Sequence, residues 1–279
     1  MLRLVDVTLR DGLAAFSLSN HKRKEIFSVL WQAGMRYFEL AALTQSQNSV
    51  QYWLQEFASE SLLQQISGAE FYDFAVLVMP LEFDQAALQQ LIKVIPNLRL
   101  HTFYPVGPYD ILQSPANFSE KKRRISRIVE LLKQTGCSVQ FTAFDGMRAK
   151  EDELLEAYAT AVQAGADSLC LADSNGDATP KNVASFCSLL KNEFSLPIGV
   201  HLHNANGLAV EKSLAAQQAG AAFFEVSLCG IGLQGGNADL RKLSQAFTEK
   251  GITPIAKLDL ESLEKAEQLL ASLLPLDTS

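Results

Sequence analysis

The sequence predicts an α/β protein built as a (β/α)8 TIM barrel, and three observations carry the prediction. Short apolar runs alternate with stretches of helical periodicity along the 279 residues, an order that produces parallel strands. The phrase Gln-Ala-Gly recurs at Gln32-Ala33-Gly34, Gln163-Ala164-Gly165 and Gln218-Ala219-Gly220, with a variant at Gln134-Thr135-Gly136. Each copy follows a helical stretch and precedes an apolar run, as expected where glycine stops a helix in the left-handed conformation and a tight turn enters a buried strand. Finally, roughly eight such units fit the length of a closed barrel. The rival, a doubly wound sheet, lacks its Gly-x-Gly-x-x-Gly after the first strand.

Taken in order, strands are expected near residues 2–7, 36–40, 71–78, 97–103, 137–142, 167–171, 197–202 and 222–226. Helices are expected between and after them, near 21–33, 46–58, 83–95, 119–134, 150–164, 180–193, 207–219 and 239–248, with a final helix over about 258–273. Val183, Phe186, Leu189 and Leu190 fall on one helical face, Thr179 can cap that helix and Pro180 suits its first turn. Ser119 is read as opening the helix that carries Ile125, Ile128, Val129 and Leu132. No linker or low-complexity segment interrupts the pattern, so residues 1–279 read as a single TIM-barrel catalytic domain.

Composition narrows the function. Hydrophobic residues make up 48%, enough for a large core, and the net charge of −7 argues against nucleic acid or an anionic membrane surface as partner. No apolar run approaches the roughly 20 residues of a membrane span, and the N-terminus lacks a signal-peptide pattern. Cys137, Cys170, Cys187 and Cys229 show no Cys-x-x-Cys spacing and read as reduced thiols of a cytoplasmic protein.

In such a barrel the chemistry sits at the C-terminal ends of the strands, and polar residues gather there. Strand one runs into Thr8-Leu9-Arg10-Asp11-Gly12, strand two carries Glu39 and strand four carries His101. Strand six ends in Asp173-Ser174-Asn175 and strand seven in His201-Leu202-His203-Asn204. Strand eight leads through the glycine loop Gly230–Gly236 to Asn237. Alternate residues of a strand share a side, so His201 and His203 can aim two imidazoles into one space, with the Asp11 carboxylate at a neighbouring strand end. Two histidines, a carboxylate and open positions suit a divalent cation that also holds a substrate. Each reading has a plainer rival. Glu39 can be a hydrogen-bond partner at the mouth, His101 a packed imidazole, Cys229 structural, and Lys121-Lys122-Arg123-Arg124 a solvated helix face rather than a contact for a coenzyme A phosphate.

These motifs resemble the DRE-TIM metallolyases, the superfamily of 2-isopropylmalate synthase, homocitrate synthase and 3-hydroxy-3-methylglutaryl-CoA lyase, with a pyruvate carboxyltransferase-type domain. The likeness runs through Asp6-Val7-Thr8-Leu9-Arg10-Asp11-Gly12, the His101 strand, Leu171-Ala172-Asp173-Ser174-Asn175-Gly176, the His201-x-His203-Asn204 segment and the glycine loop, over about residues 4–247. The resemblance implies one divalent metal ion (magnesium, manganese or zinc) on Asp11, His201 and His203, with Asn237 a further or more distant ligand. It implies that Arg10 stabilises enolate charge on a substrate carbonyl. Glu39 is the candidate acid/base, and His101 and Asp173 are candidate substrate contacts. The implied partners are small molecules, a 2-oxo acid and an acyl-CoA, and a homodimer stays open. The implied reaction is a Claisen- or aldol-type carbon–carbon lyase or synthase step. The chain also departs from the family's pattern. Leu13-Ala14 stands for Glu-Gln, Ala205 for Asp, Leu233-Gln234 for Glu-Arg, Gln140 and Phe144 for carboxylates, and Val106-Gly107 for small hydroxyl residues. A non-catalytic or divergent member that binds a metal and a small ligand is therefore the alternative. A Schiff-base aldolase would need an inward strand lysine, and the strands offer none.

Overall fold

A computed structural model describes residues 2–45, 48–113 and 116–274. Eight parallel strands follow one another around a barrel: β1 (Arg3–Asp6), β2 (Tyr37–Leu43), β3 (Asp73–Val78), β4 (Leu98–Pro105), β5 (Ser138–Phe144), β6 (Ser168–Asp173), β7 (Ile198–Leu202) and β8 (Phe223–Ser227). Pairing of Arg3 with Phe223 through Asp6 with Val226 joins β1 to β8 and closes the ring. A two-residue strand, β9 (Ala238–Asp239), extends β8 at the mouth.

The outer layer comprises α1 (Asn20–Gln32), α2 (Asn48–Ala58), α3 (Glu60–Ile66), α4 (Gln85–Val94), α5 (Phe118–Lys133), α6 (Glu151–Gln163), α7 (Pro180–Glu193), α8 (Ala209–Gln218), α9 (Leu240–Glu249) and α10 (Leu260–Leu273). The expected order of elements is therefore observed, with three differences. The start expected for the second helix, residues 46–47, lies outside the described residues. The short helix α3 was not expected. Finally, α5 begins earlier than read, because Asn117 rather than Ser119 caps it, accepting the Glu120 N–H at 2.9 Å. Thr179 caps α7 as expected, accepting from the Asn182 N–H.

The repeated glycines do what their pattern implies: Gly34, Gly136, Gly165 and Gly220 have φ of 96°, 81°, 101° and 93°. Each lets its helix end and the chain turn back into the sheet. Packing between the layers is aromatic on one side of the barrel, where the Phe27 ring lies 4.8 Å from Phe38 and 5.7 Å from Trp53. No helix among the described residues is long and apolar enough to cross a membrane.

The barrel interior departs from the branched apolar filling usual in this architecture. Its floor holds a small apolar group, Val5, Tyr37, Cys170 and Phe223. Gly199 makes this floor possible, since a Cβ there would lie 2.0 Å from the Phe223 ring. Above the floor the buried side chains are polar: Glu39, Arg99, His101, Gln140, Thr142 and Glu225.

Candidate active site

The mouth is built first by the turn after β1. Gly12 N–H bonds back to Val7 C=O and Leu13 N–H to Thr8 C=O, five residues in each case, giving one wide helical turn of the kind often found at functional sites. Asp6 and Thr8 anchor it. Asp6 accepts from the Thr8 hydroxyl at 2.6 Å and from its N–H at 3.1 Å, while Thr8 Oγ1 accepts from the Leu228 N–H at 2.8 Å. The opening Asp-x-Thr of the motif thus locks the end of β1 to the end of β8 and presents Arg10 and Asp11 at the mouth.

Arg10 is held on three sides by carboxylates. It donates to Glu39 through Nε and to Asp11 Oδ1 through Nη1 at 2.7 Å, and Glu225 Oε2 lies 4.0 Å from Nη2. Burial works against its charge, but the three carboxylates outweigh that and hold its pKa above the ordinary arginine value. Burial alone would raise the Asp11 pKa; the Arg10 charge first, then the nearby imidazoles and the hydrogen bond from Asn237, overcome it and keep the carboxylate low and ionised.

The two histidines meet as the strand alternation implies. His203 Nδ1 is 3.1 Å from the Gly236 carbonyl, which can only accept, so Nδ1 carries the proton. His201 Nδ1 is 3.0 Å from Glu225 Oε2, close enough for the carboxylate charge to favour a proton on Nδ1 although the two are not aligned as a hydrogen bond. Both Nε2 lone pairs then face each other at 3.2 Å. Two lone pairs at that separation repel, and either a proton on His201 Nε2, donated to His203, or a cation beside both nitrogens relieves the repulsion. Burial and the neighbouring His201 charge push His203 down to about 4, so it stays neutral near neutrality. Burial opposes protonation of His201, but its contact with Glu225 wins and raises it.

Asp11 completes the set, and ligand atoms of Asp11, His201 and His203 all lie within 4.8 Å of one another. An octahedral cation with ligands at about 2.1 Å spaces adjacent donors by about 3.0 Å, close to the spacing of the two imidazole nitrogens. Asn237 donates to Asp11 Oδ2 at 2.8 Å and to the Ile231 carbonyl at 2.9 Å, leaving its buried Oδ1 without a hydrogen-bond partner. The donor set therefore fits a divalent metal. Gly232 is obligatory beside it: a Cβ there would lie 2.3 Å from Asn237 Nδ2 and 3.0 Å from Asp11 Oδ2.

A second group, Glu39, His101 and Glu225, has comparable spacing. Arg10 binds Glu39 directly, and Arg99 adds its charge to both carboxylates. This acidic pair is neutralised by guanidinium groups and does not call for a metal.

Two expected roles change. Glu39 is buried behind Arg10, outside the cavity lining; its oxygens are taken by Arg10 and His101 Nδ1, and the Arg10 charge with these contacts holds it ionised against the cost of burial. Asp173 also lies away from the cavity. It accepts from the Gly176 and Ala178 N–H groups and pairs at 2.6 Å with the fully buried Lys212, so its carboxylate is saturated as a loop anchor. Lys212 spends its other protons on the Gly176 and His203 carbonyls, at 3.1 and 2.7 Å, tying the ends of β6 and β7 together. His101 does line the cavity, with Nε2 2.7 Å from the Thr142 hydroxyl. Glu225 and Lys212 were missed in the sequence, and Gln140 was noted only as standing at a carboxylate position. Glu225 carries the signal that picked out Glu39, a charge inside an apolar strand; Lys212, on a helix, carries none.

The cavity itself is about 280 Å³, near the lower end of the roughly 300–1,000 Å³ of ligand pockets. Arg10, Asp11, His201, His203 and Glu225 form one wall; Leu77, Met79, Phe103, Tyr109 and Phe144 form the other. Phe144 has the rings of Phe103 and Tyr109 each 5.7 Å away. Among the described residues no lysine lines it, and Arg10 is its single guanidinium. The rim exposes Tyr109, Ile111 and Leu233.

A strand-end site of this construction on a closed barrel defines the class. The chain matches the HMGL-like family over residues 1–270 and belongs to it, within the DRE-TIM superfamily. A probable 2-isopropylmalate synthase from Methanopyrus kandleri is 30% identical over 250 residues, covering 88% of this chain and 47% of that protein. A 2-isopropylmalate synthase from Methanocaldococcus jannaschii is 38% identical over 149 residues, 52% of this chain and 28% of that protein. The chain thus spans about half the length, or less, of these curated relatives. Among solved structures, hydroxymethylglutaryl-CoA lyase from Pseudomonas aeruginosa superposes with a TM-score of 0.81 at 18% identity, over 100% of this chain and 94% of that one. An HMG-CoA lyase from Acinetobacter baumannii, in complex with coenzyme A and 3-methylmalate, gives 0.79 at 21%, over 100% and 92%. At these identities the likeness shows the fold alone.

Proposed function

We propose that the protein is a divalent-metal-dependent carbon–carbon lyase or synthase acting on a 2-oxo acid, with an acyl-CoA as the second reactant. The observation that carries this reading is the pair of imidazole lone pairs facing each other beside Asp11, with a guanidinium at their edge and an apolar cavity in front.

Asp11, His201 and His203 would hold the metal, with Asn237 steadying Asp11 and offering its own oxygen. Bound there, a divalent cation supplies a positive charge that polarises the oxygens of a 2-oxo acid. Arg10 serves the same end from the protein side. Making or breaking a bond α to a carbonyl develops negative charge on oxygen, and a buried guanidinium fixed in advance by Glu39 and Asp11 stabilises it without reorganising. His101 is the proton-handling candidate. Glu39 accepts its Nδ1 proton, so Nε2 presents a lone pair to the Thr142 hydroxyl in the cavity wall. Glu39 then acts through His101 and Arg10, as a positioning residue.

The opposite wall supports a substrate whose remaining substituent is apolar. A second carboxylate would meet Leu77, Met79, Phe103 and Phe144, with no second cation in the described lining. The cavity suits a small acid and an acyl group, leaving the bulk of a CoA to lie across the rim.

Purified protein, stripped of metal and reloaded with Mn²⁺, Mg²⁺ or Zn²⁺, tests the reading. Apolar 2-oxo acids are expected to raise its melting temperature only in the loaded form, and acyl-CoA with the matching acid is expected to release free thiol. Full turnover by the stripped protein would sink the metal reading. Metal and acid binding without thiol release or acid cleavage would leave a ligand-binding relative instead.

A further inference from the structure

A polar chain through the barrel begins outside the cavity and ends in its wall at Glu225 and His201. Asp73, the first residue of β3, is 3.3 Å from Arg99 Nη2, and Arg99 Nη1 donates to Gln140 Oε1. Gln140 Nε2 donates to Glu225 Oε1 at 2.8 Å, and Glu225 Oε2 lies 3.0 Å from His201 Nδ1. Arg99, Gln140 and Glu225 are 7%, 1% and 2% exposed, so water offers them little alternative.

Valence fixes the direction of this chain. A guanidinium only donates, so Gln140 must turn its oxygen toward Arg99. Its NH₂ is then committed to Glu225. Without that donor, Glu225 Oε1 would keep only the weak thiol contact from Cys170 at 3.9 Å, and the carboxylate could rotate away from His201. His201 needs its Nδ1–H held by an acceptor if Nε2 is to face the cation.

Resting on the metal reading above, we infer that Gln140, its amide polarity locked by Arg99, is a positioning residue that orients Glu225 and through it the His201 ring. The cation affinity is then set in part by two residues that do not line the cavity. This is a property of the chain's own β5, where glutamine stands at a position that the resemblance assigns to a carboxylate.

The test is titration of metal-free protein with Mn²⁺, followed calorimetrically in the absence of substrate. Gln140→Met, matched in length, is expected to weaken Mn²⁺ binding by about 10-fold or more, the range for loss of an outer partner of a metal-bound histidine. Gln140→Asn keeps the amide but is one methylene short of spanning Arg99 and Glu225. It is expected to weaken binding in the same direction, and it serves as the readout if the methionine variant does not fold. In a Glu225→Gln background, Gln140→Met is expected to add no further loss, because the route through Glu225 is already broken. Unchanged Mn²⁺ affinity in both single variants, or strictly additive losses in the double variant, would overturn the inference. Failure of the unaltered protein to bind Mn²⁺ would instead remove the metal reading itself, a result distinguishable from the other two.

Discussion

The cavity's two walls are made from different strands and by different rules. On the β7, β8 and β1 side the wall is polar and tightly interlinked: Arg10 meets Glu39 and Asp11, His201 lies against Glu225, and His203 meets the Gly236 carbonyl. On the β3, β4 and β5 side, apart from His101 and Thr142, the wall is aliphatic and aromatic, with Phe144 between Phe103 and Tyr109. The first wall has one workable arrangement, since moving any member strands a buried charge. The second tolerates changes in shape at modest cost. Chemistry is thus expected to be fixed by the first wall and selectivity by the second.

Substitutions that break this contrast should scale accordingly. The largest effect belongs to Asp11→Asn and His203→Ala. Each removes a donor from the cation set and should lower metal affinity by more than about 100-fold, beyond the range for outer partners; metal content after dialysis reads this directly. Next comes Arg10→Met, which takes from the buried carboxylates Glu39 and Asp11 the cation they share, leaving them only the contacts from His101 and Asn237. Breaking such pairs costs about 3–5 kcal/mol, so urea unfolding of the metal-free variant should show a lower midpoint at unchanged slope. An unshifted midpoint would mean that the guanidinium is not holding the first wall together.

The second wall predicts a smaller and different response. Phe144→Ala should raise KM for apolar 2-oxo acids by about 10- to 200-fold, the value of 1–3 kcal/mol of apolar contact, with kcat changed less. A fall in kcat with KM constant would move Phe144 into the chemistry. The smallest expected effect is on stability against pH. Burial lifts Asp6 to about 7, only partly offset by the hydrogen bonds from Thr8. A carboxyl raised in the folded state contributes stability that is full below its unfolded value near 4 and is lost as pH rises through about 7. Asp6→Asn does not titrate, so its melting temperature relative to the unaltered protein should climb between pH 5 and pH 8. A constant difference would refute the assignment.

How far the sequence discloses this site follows from what kind of signal each residue leaves. His201 and His203 were legible because strand alternation puts both on one side, and Arg10 and Asp11 because they stand at a strand end within a motif. The barrel was legible through the Gln-Ala-Gly turns and the spacing of apolar runs. Asp173 misled because its strand-end position is shared by catalytic residues and loop anchors alike; its partner, Lys212, sits 39 residues away on a helix. Gln140 and Arg99 were visible as polar residues in apolar strands, but their pairing depends on which strands become neighbours and in what register. The short helix α3 follows α2 with only Ser59 between them, beyond the 46–58 stretch read as one helix, and at seven residues it is too short to show a clear period.

Closure of the barrel carries a consequence for folding. Asp11 follows β1 while His201 and His203 come from β7, and they are brought together only because β1 and β8 zip across the gap between the two chain ends. On the proposed metal reading, a cation held there would bridge that seam and bind the closed ring in preference to an open one. Ligation and ring closure thus share one equilibrium, so adding metal should suppress opening along the β1–β8 seam in proportion to how far its concentration exceeds the dissociation constant.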